Sequence, residues 1–229
     1  MEKIQNYING DLVPPNSGEY INNFCPGTGK AYSLIPDSDA HDAEMAVEAA
    51  QRAFKSWSTI PKQERSDILI NLANEIKDQS DELVIAESRD NGKPEWLARA
   101  VDIPRAPENF KFFATAILHF DSEIHEMDGR AINYTLRQPI GVAACISPWN
   151  LPLYLLTWKV SPALAAGNTV VAKPSEITPM TAYLFSKICQ KAGLPKGVLN
   201  IVHGYGNKVG DALCRHPDVP IISFTGGTS

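Results

Sequence analysis

From Ile140 to the end, the chain alternates two patterns, and that alternation limits its fold more than any other feature. The runs "IGVAACIS", "NTVVAKP", "GVLNIV" and "PIISFTG" are short and apolar at almost every position. Between them lie stretches with helical spacing, within 153–166, about 178–191 and about 207–215. Strands apolar on both faces and separated by helices belong to a parallel sheet covered on both sides. The expected fold class is therefore α/β, a doubly wound, Rossmann-like parallel sheet with four strands in view.

Upstream the elements are of another kind. "YINGDLV" sets Asn9-Gly10 between two apolar pairs, the signature of a two-residue hairpin, and "CPGTGK" makes a second turn. Ala43, Ala46, Val47, Ala50, Ala53, Phe54 and Trp57 recur at helical spacing, with Ser38 or Asp39 as the cap. Pro61 opens the next helix, and a third follows Ser80 and ends near Asn91-Gly92. "VDIPRAPENFKFFATAIL" reads as a helix interrupted at its two prolines. "INYTLRQP" alternates and reads as a sheet-edge strand around 131–138. The division expected is 1–120 as hairpin plus helices, 121–138 as a bridging, oligomerising strand segment, and 139–229 as the nucleotide-binding part.

Composition excludes several functions. The 229 residues carry 21 basic and 26 acidic side chains, a net charge of -5, with the lysines and arginines scattered. That argues against nucleic acid or an anionic membrane as partner. "MEKIQNYING" lacks the apolar core of a signal peptide, and a cytoplasmic location is expected. Cys25, Cys145, Cys189 and Cys214 are widely spaced, so reduced thiols are expected rather than disulfides or a metal site.

Three stretches could carry chemistry. In "VVAKPSE", Lys173 and Glu176 stand just past the carboxyl end of a strand, where ligands bind in such sheets. An ammonium and a carboxylate there could hold the hydroxyls of a ribose, or form a plain surface ion pair. In "ISPWNLPLY", Pro148 and Pro152 stiffen a turn presenting Trp149 and Asn150. Its amide could donate to an oxygen that becomes negative, or serve the turn alone. "HGYGNKVG" places Gly204, Gly206 and Gly210 between a strand and a helix. It departs from the dinucleotide fingerprint, since the third glycine comes one residue late, and a tight turn accounts for it equally well.

Taken in order, "ISPWNLPLYLLTWKVSPALAAGNTVVAKPSEITP", "GLPKGVLNIVHGYG" and "ISFTGG" resemble the coenzyme-domain core of the aldehyde dehydrogenase superfamily, and the likeness extends back through the hairpin and helices. "ISPWNLPLYLLTWK", "DIPR" before "NFKFFA", and "NIVHGYG" are most similar to the 2-aminomuconic and 2-hydroxymuconic semialdehyde dehydrogenases. The resemblance implies NAD as cofactor, with the adenosine ribose on Lys173 and Glu176. It implies further contacts along Ile146, Ser147, Pro148 and Trp149, near Gly206 and Gly210, and over Phe224, Gly226 and Gly227. A 2′-phosphate would meet the charge of Glu176, so NAD should be preferred to NADP.

The same resemblance makes Asn150 the amide of an oxyanion hole, and Leu151, Leu155 and Trp158 the wall of a substrate tunnel. Arg105 becomes a candidate partner for the carboxylate of a semialdehyde. An intact family member is expected to be a homo-oligomer acting on an aldehyde. The family's nucleophilic cysteine and its glutamate would lie past Ser229, and none of the four cysteines here stands in the nucleophile's context. The coenzyme domain is thus expected to be incomplete at its carboxyl end, and the chain inactive alone. The alternative is a catalytically dead short product that binds NAD weakly or pairs with full-length subunits. Thr228 or Ser229 is expected to cap a following helix.

Overall fold

The computed structural model describes residues 1–227. Thr228 and Ser229, expected as a helix cap, lie outside the described residues.

The amino-terminal strands are β1 (Glu2–Lys3), β2 (Asn6–Ile8), β3 (Asp11–Val13), β4 (Tyr20–Cys25) and β5 (Lys30–Pro36). Asn9 and Gly10 both take positive φ, 53° and 82°, as a two-residue hairpin between β2 and β3 requires. Helix α1 (Ala40–Trp57) starts at Asp39, whose carboxylate accepts from the amides of His41 and Asp42 while Asp42 answers on the Asp39 amide. Helix α2 (Lys62–Asp78) follows Pro61, and α3 (Ser80–Asn91) ends on Gly92 at φ 78°. Only a residue without Cβ holds that left-handed cap cheaply.

After the short α4 (Glu95–Leu97), the backbone forms a π-turn over Ala98–Asp102 and then α5 (Ile103–Ala116). The expected break at the prolines is not there. Pro104, the second residue of α5, follows closely on the π-turn, and Pro107 is carried inside the helix. The irregularity sits one turn earlier, in the π-turn.

Strands β6 (Ile124–Met127) and β7 (Ala131–Tyr134) make a separate two-stranded hairpin whose residues are all exposed. The strand expected around 131–138 is therefore shorter than its alternation suggested, and it is not the edge of the main sheet. Its partner, β6, carries too few apolar residues to announce itself.

The main elements then follow: β8 (Val142–Ile146), α6 (Pro152–Ala165), β9 (Thr169–Lys173), α7 (Met180–Lys191), β10 (Leu199–Ile201), a π-turn at Gly206–Gly210 running into α8 (Asp211–Arg215), and β11 (Ile221–Phe224). The sheet order is β11-β8-β9-β10-β2-β3, the first four parallel and the hairpin added antiparallel through β10. The helix expected over 207–215 is thus half π-turn and half a single helical turn.

Both faces of the sheet are covered, which is why its central strands lack polar positions. Val142, Ala144 and Val171 point to α1, with Ala46 and Ala50. Ala143, Cys145, Val170 and Ala172 point the other way, into a larger core with Leu156 and Val160 of α6, Phe185 of α7 and Phe110 of α5. Each fully buried Val, Leu or Phe among them contributes about 1.5–3 kcal/mol, and each alanine methyl about 0.8 kcal/mol. β11 departs from this pattern: Ile222 and Phe224 are exposed, because β11 is the outer strand of the sheet.

The hairpin also fixes the far end of β10. Asn6 is fully buried; its Oδ1 accepts from the His203 amide at 2.9 Å and its Nδ2 donates to Ser38 Oγ at 2.8 Å. Residues nearly two hundred positions apart thereby hold the turn that leads to Gly206.

Candidate functional site

The parallel register levels three strand ends. Ile146 pairs with Lys173 and with Phe224, so β8, β9 and β11 all deliver their carboxyl ends to one edge of the sheet. A cleft of about 900 Å³ opens there. Ligand sites in open α/β sheets form at this edge, because loops can diverge only past the strand ends.

All eleven residues expected to hold a cofactor line this one cleft: Ile146, Ser147, Pro148, Trp149, Lys173, Glu176, Gly206, Gly210, Phe224, Gly226 and Gly227. Asn150 lines it as well. Among its other walls are Ser175, Asn207, Asp211 and Thr225, none of them expected from the sequence, and Cys214, expected only as a reduced thiol.

The loop after β8 is pinned along its length. The Ser147 amide donates to Lys173 O at 3.1 Å, Thr178 Oγ1 donates to Trp149 O at 3.4 Å, and Lys93 Nζ donates to Asn150 O at 3.3 Å. Trp149 is left 53% exposed over the cleft. Pro152 then opens α6 at its first position, where no N–H is needed.

Lys173 ends β9 and is almost wholly buried; its Nζ meets Glu176 Oε2 at 2.8 Å. The pair offers one donor and one acceptor side by side. Below it lies His203, fully buried, with Nδ1 unpartnered. Burial, and then the charge of Lys173, push the His203 imidazole down to about 3.

At Gly206 an added Cβ would meet nothing within 4 Å, so its missing side chain leaves free space on the cleft wall. Gly204 is different: at φ 137° a Cβ would approach the Ser38 amide to 3.0 Å. Gly226 sits under the ring of Phe224, which a Cβ would meet at 2.5 Å. The donor-acceptor pair, the open glycine and the pinned loop fit an extended ligand bearing hydroxyls and an anionic centre.

The residues expected to touch substrate stand apart from that cleft. Arg105 is exposed on α5, its guanidinium over the ring of Tyr154 at 5.1 Å and donating to Tyr154 Oη at 3.2 Å. Glu108 lies at 3.6 Å. Tyr154 meets Trp158 edge-on at 6.0 Å, one helical turn along α6. Leu151 precedes α6, and Leu155 follows one turn later, half-buried. A patch running from Arg105 through Tyr154 to Trp158 is thus continuous.

Lys159 is a further side chain at this edge of the sheet. It is buried, donates to Thr225 Oγ1 at 2.6 Å, and burial pushes its ammonium down. Its position directly after Trp158 was the available signal, but a lysine in an amphipathic helix reads by default as solvent-facing.

Two of the four cysteines, Cys145 and Cys189, are buried in the core. Burial pushes Cys145 up to about 12, and raises Cys189 further. Cys214 borders the cleft, raised by burial and then by Asp211. Cys25, the last residue of β4, is instead lowered, chiefly by its hydrogen bond with Thr28. Among the described residues no group of three or more His, Cys, Asp or Glu side chains could hold a metal, and no helix is long and apolar enough to cross a membrane.

A mostly parallel sheet, covered by helices and with a cleft past its strand ends, defines an open α/β domain. The model of the aldehyde dehydrogenase family matches residues 12–229, and the chain belongs to that family. It is 53% identical to the 2-aminomuconic semialdehyde dehydrogenase of Bos taurus over 224 residues, which cover 97% of this chain and 46% of that protein. With the 2-hydroxymuconic semialdehyde dehydrogenase of Pseudomonas sp. (strain CF600) identity is 46%, over 100% of this chain and 48% of that one. An NAD+ complex of the aldehyde dehydrogenase from Bacillus cereus matches at TM-score 0.96 and 35% identity, over 99% of this chain and 46% of the other. The chain therefore spans about half the length of the curated relatives it matches.

Proposed function

We propose that this chain forms the NAD-binding part of an NAD-dependent aldehyde dehydrogenase that oxidises a carboxylate-bearing semialdehyde to the acid. The observation that carries the reading is the cleft itself: the residues that family resemblance marks for cofactor contact all line one cavity, around the pair of buried Lys173 and half-buried Glu176. Family membership and the NAD+ complex of the Bacillus cereus relative support NAD as the ligand.

In this reading the Lys173 ammonium and the Glu176 carboxylate bind the two ribose hydroxyls. Trp149 and Phe224 flank the cofactor, and the backbone at Gly226 and Gly227 approaches its pyrophosphate. The chemistry NAD supplies when bound is hydride acceptance. Asn150 contributes a side-chain amide that donates to the aldehyde oxygen as it gains negative charge, from a loop already fixed in place. No cysteine of this chain is proposed as nucleophile: burial raises Cys145, Cys189 and Cys214, and Cys25, though lowered, is not among the residues that line the cleft.

For the substrate, Arg105 is proposed to pair with the distal carboxylate, with Leu151, Leu155 and Trp158 along the aldehyde's path. The relatives' names support that substrate class. The exposed apolar residues of β6 and β7, Ile124 and Ile132 at 73% and 70% exposure, favour burial against a second subunit, as homo-oligomerisation would provide.

The decisive experiment is calorimetric titration of the chain with NAD and NADP, with Trp149 fluorescence as a second signal. Saturable NAD binding with weaker NADP binding is expected. Absence of measurable NAD binding overturns the cofactor reading.

A further inference from the structure

We propose that Lys93 is a positioning residue for Asn150: with Glu87 and Asp102 it forms a buried charged clamp that fixes the backbone of the loop carrying the amide. Three elements supply it. Glu87 comes from α3, Lys93 from the segment just past that helix, and Asp102 from the end of the π-turn before α5. The Lys93 ammonium touches all three partners: Glu87 Oε1 at 3.3 Å, Asp102 Oδ2 in closer contact, and Asn150 O at 3.3 Å.

Burial shows that this is not a solvated surface pair. The side chains of Lys93, Glu87 and Asp102 are 12%, 0% and 3% exposed. One ammonium between two carboxylates leaves the cluster with one excess negative charge, and removing charges from water costs several kcal/mol per ion. Burial accordingly outweighs the pull of Lys93 and, with the charge of Asp102, leaves Glu87 raised from the usual carboxylate range to about 7. A cluster held at that cost for fold stability alone could be replaced by apolar side chains of similar size without loss.

What the charges achieve locally is specific. The ammonium has three donors, and the third goes to the carbonyl of Asn150, outside the elements that supply the clamp. On the other side, the Leu153 amide in the first turn of α6 faces the Glu87 carboxylate and favours its charged form. Glu87 Oε2 has no hydrogen-bond partner of its own. The clamp thus grips the chain at Asn150, immediately before Leu151–Pro152. An oxyanion donor works by being in place before charge develops, so it gains from a rigid backbone more than a merely structural turn would.

This inference rests on the reading of Asn150 as an oxyanion donor in a cofactor site, and its test keeps failure of the clamp apart from failure of the cofactor reading. Hydrogen exchange would be followed by mass spectrometry on the unmodified chain, Lys93→Met and Lys93→Arg, each also titrated with NAD. Lys93→Met should speed exchange of peptides spanning 147–153 by about tenfold, the loss of one charge-assisted hydrogen bond, with β9 and β10 unchanged. Lys93→Arg should restore most of the protection. Unchanged exchange at 147–153 in Lys93→Met overturns the clamp.

Should Lys93→Met unfold, side-chain NMR of the unmodified chain decides. A slowly exchanging Lys93 ammonium signal, with a nuclear Overhauser contact to the Asn150 backbone, supports the clamp, and its absence overturns it. NAD binding retained by a variant with fast exchange at 147–153 places the effect on the amide loop. Failure of the unmodified chain to bind NAD counts against the cofactor reading alone.

Discussion

Lys173 Nζ lies 2.8 Å from Glu176 Oε2, and the two side chains are unequally buried, 4% exposed for the lysine and 28% for the carboxylate. The ammonium is therefore part of the cleft floor, and the carboxylate is the half that meets solvent or ligand. Glu176→Gln keeps the shape, removes the charge, and leaves the lysine in place. NAD affinity is expected to fall about tenfold, as for the loss of a hydrogen bond to a charged group. NADP should be affected less, since the substitution also removes a charge that repels its 2′-phosphate. An unchanged ratio of NAD to NADP affinity in calorimetry would separate Glu176 from ribose recognition.

Gly204 links β10 to the cleft. It holds φ 137°, and a Cβ there would press on the Ser38 amide at 3.0 Å and on Val209 Cγ1 at 3.2 Å. Gly204→Ala should cost about 1–3 kcal/mol through backbone strain and overpacking together. Gly206→Ala, where a Cβ meets nothing within 4 Å, should leave stability almost unchanged and instead weaken NAD binding. Urea denaturation and NAD titration of the two variants check the contrast; equal stability losses would contradict it.

These two glycines also show where the sequence was legible. The fingerprint-like spacing marked Gly204, Gly206 and Gly210 as a group, but their different duties depend on Ser38 and Val209, contacts that no spacing encodes. The central strands were plain because sheet burial on both faces removes polar positions, and α1, α2 and α3 announced their ends through Asp39, Pro61 and Gly92. The β6–β7 hairpin was half visible: the alternation of β7 stood out, whereas "IHEM" has only two apolar residues. Lys93 was invisible. Its Asn-Gly-Lys context marks a helix end, and nothing local tells that Asn150, 57 positions on, will take its third donor. Long-range polar contacts are decided by packing, after the elements have formed.

His203 gives a pH dependence with a definite sign. Its imidazole is held near 3 in the folded chain against 6.5 when free, first by burial and then by Lys173. The unfolded chain binds a proton that the folded chain refuses, so this group's contribution is intact above pH 6.5 and is lost as pH falls toward 3. Glu87 and Asp90, raised to about 7 and about 6 by burial, act in the opposite sense, favouring the folded chain as pH falls through those values. A difference measurement isolates the histidine. Between pH 7 and pH 5, His203→Gln should gain about 2 kcal/mol relative to the unmodified chain, read from urea denaturation at both values. A pH-independent difference would show that His203 takes up its proton without unfolding.

Thiol alkylation tests both burial and the cleft. At pH 8 Cys25, lowered chiefly by Thr28 and open at its turn, should react first with iodoacetamide. Cys214 is exposed but raised, and should follow more slowly. Cys145 and Cys189, buried and raised, should react only on unfolding. Because Cys214 borders the cleft and Cys25 is not among its lining residues, saturating NAD should slow alkylation of Cys214 and leave Cys25 unaffected. Site-resolved mass spectrometry reads all four rates in one experiment. Protection of Cys25 together with Cys214 would point to global stiffening, whereas protection of Cys214 alone locates the bound nucleotide along Gly210, Asp211 and the carboxyl edge of the sheet.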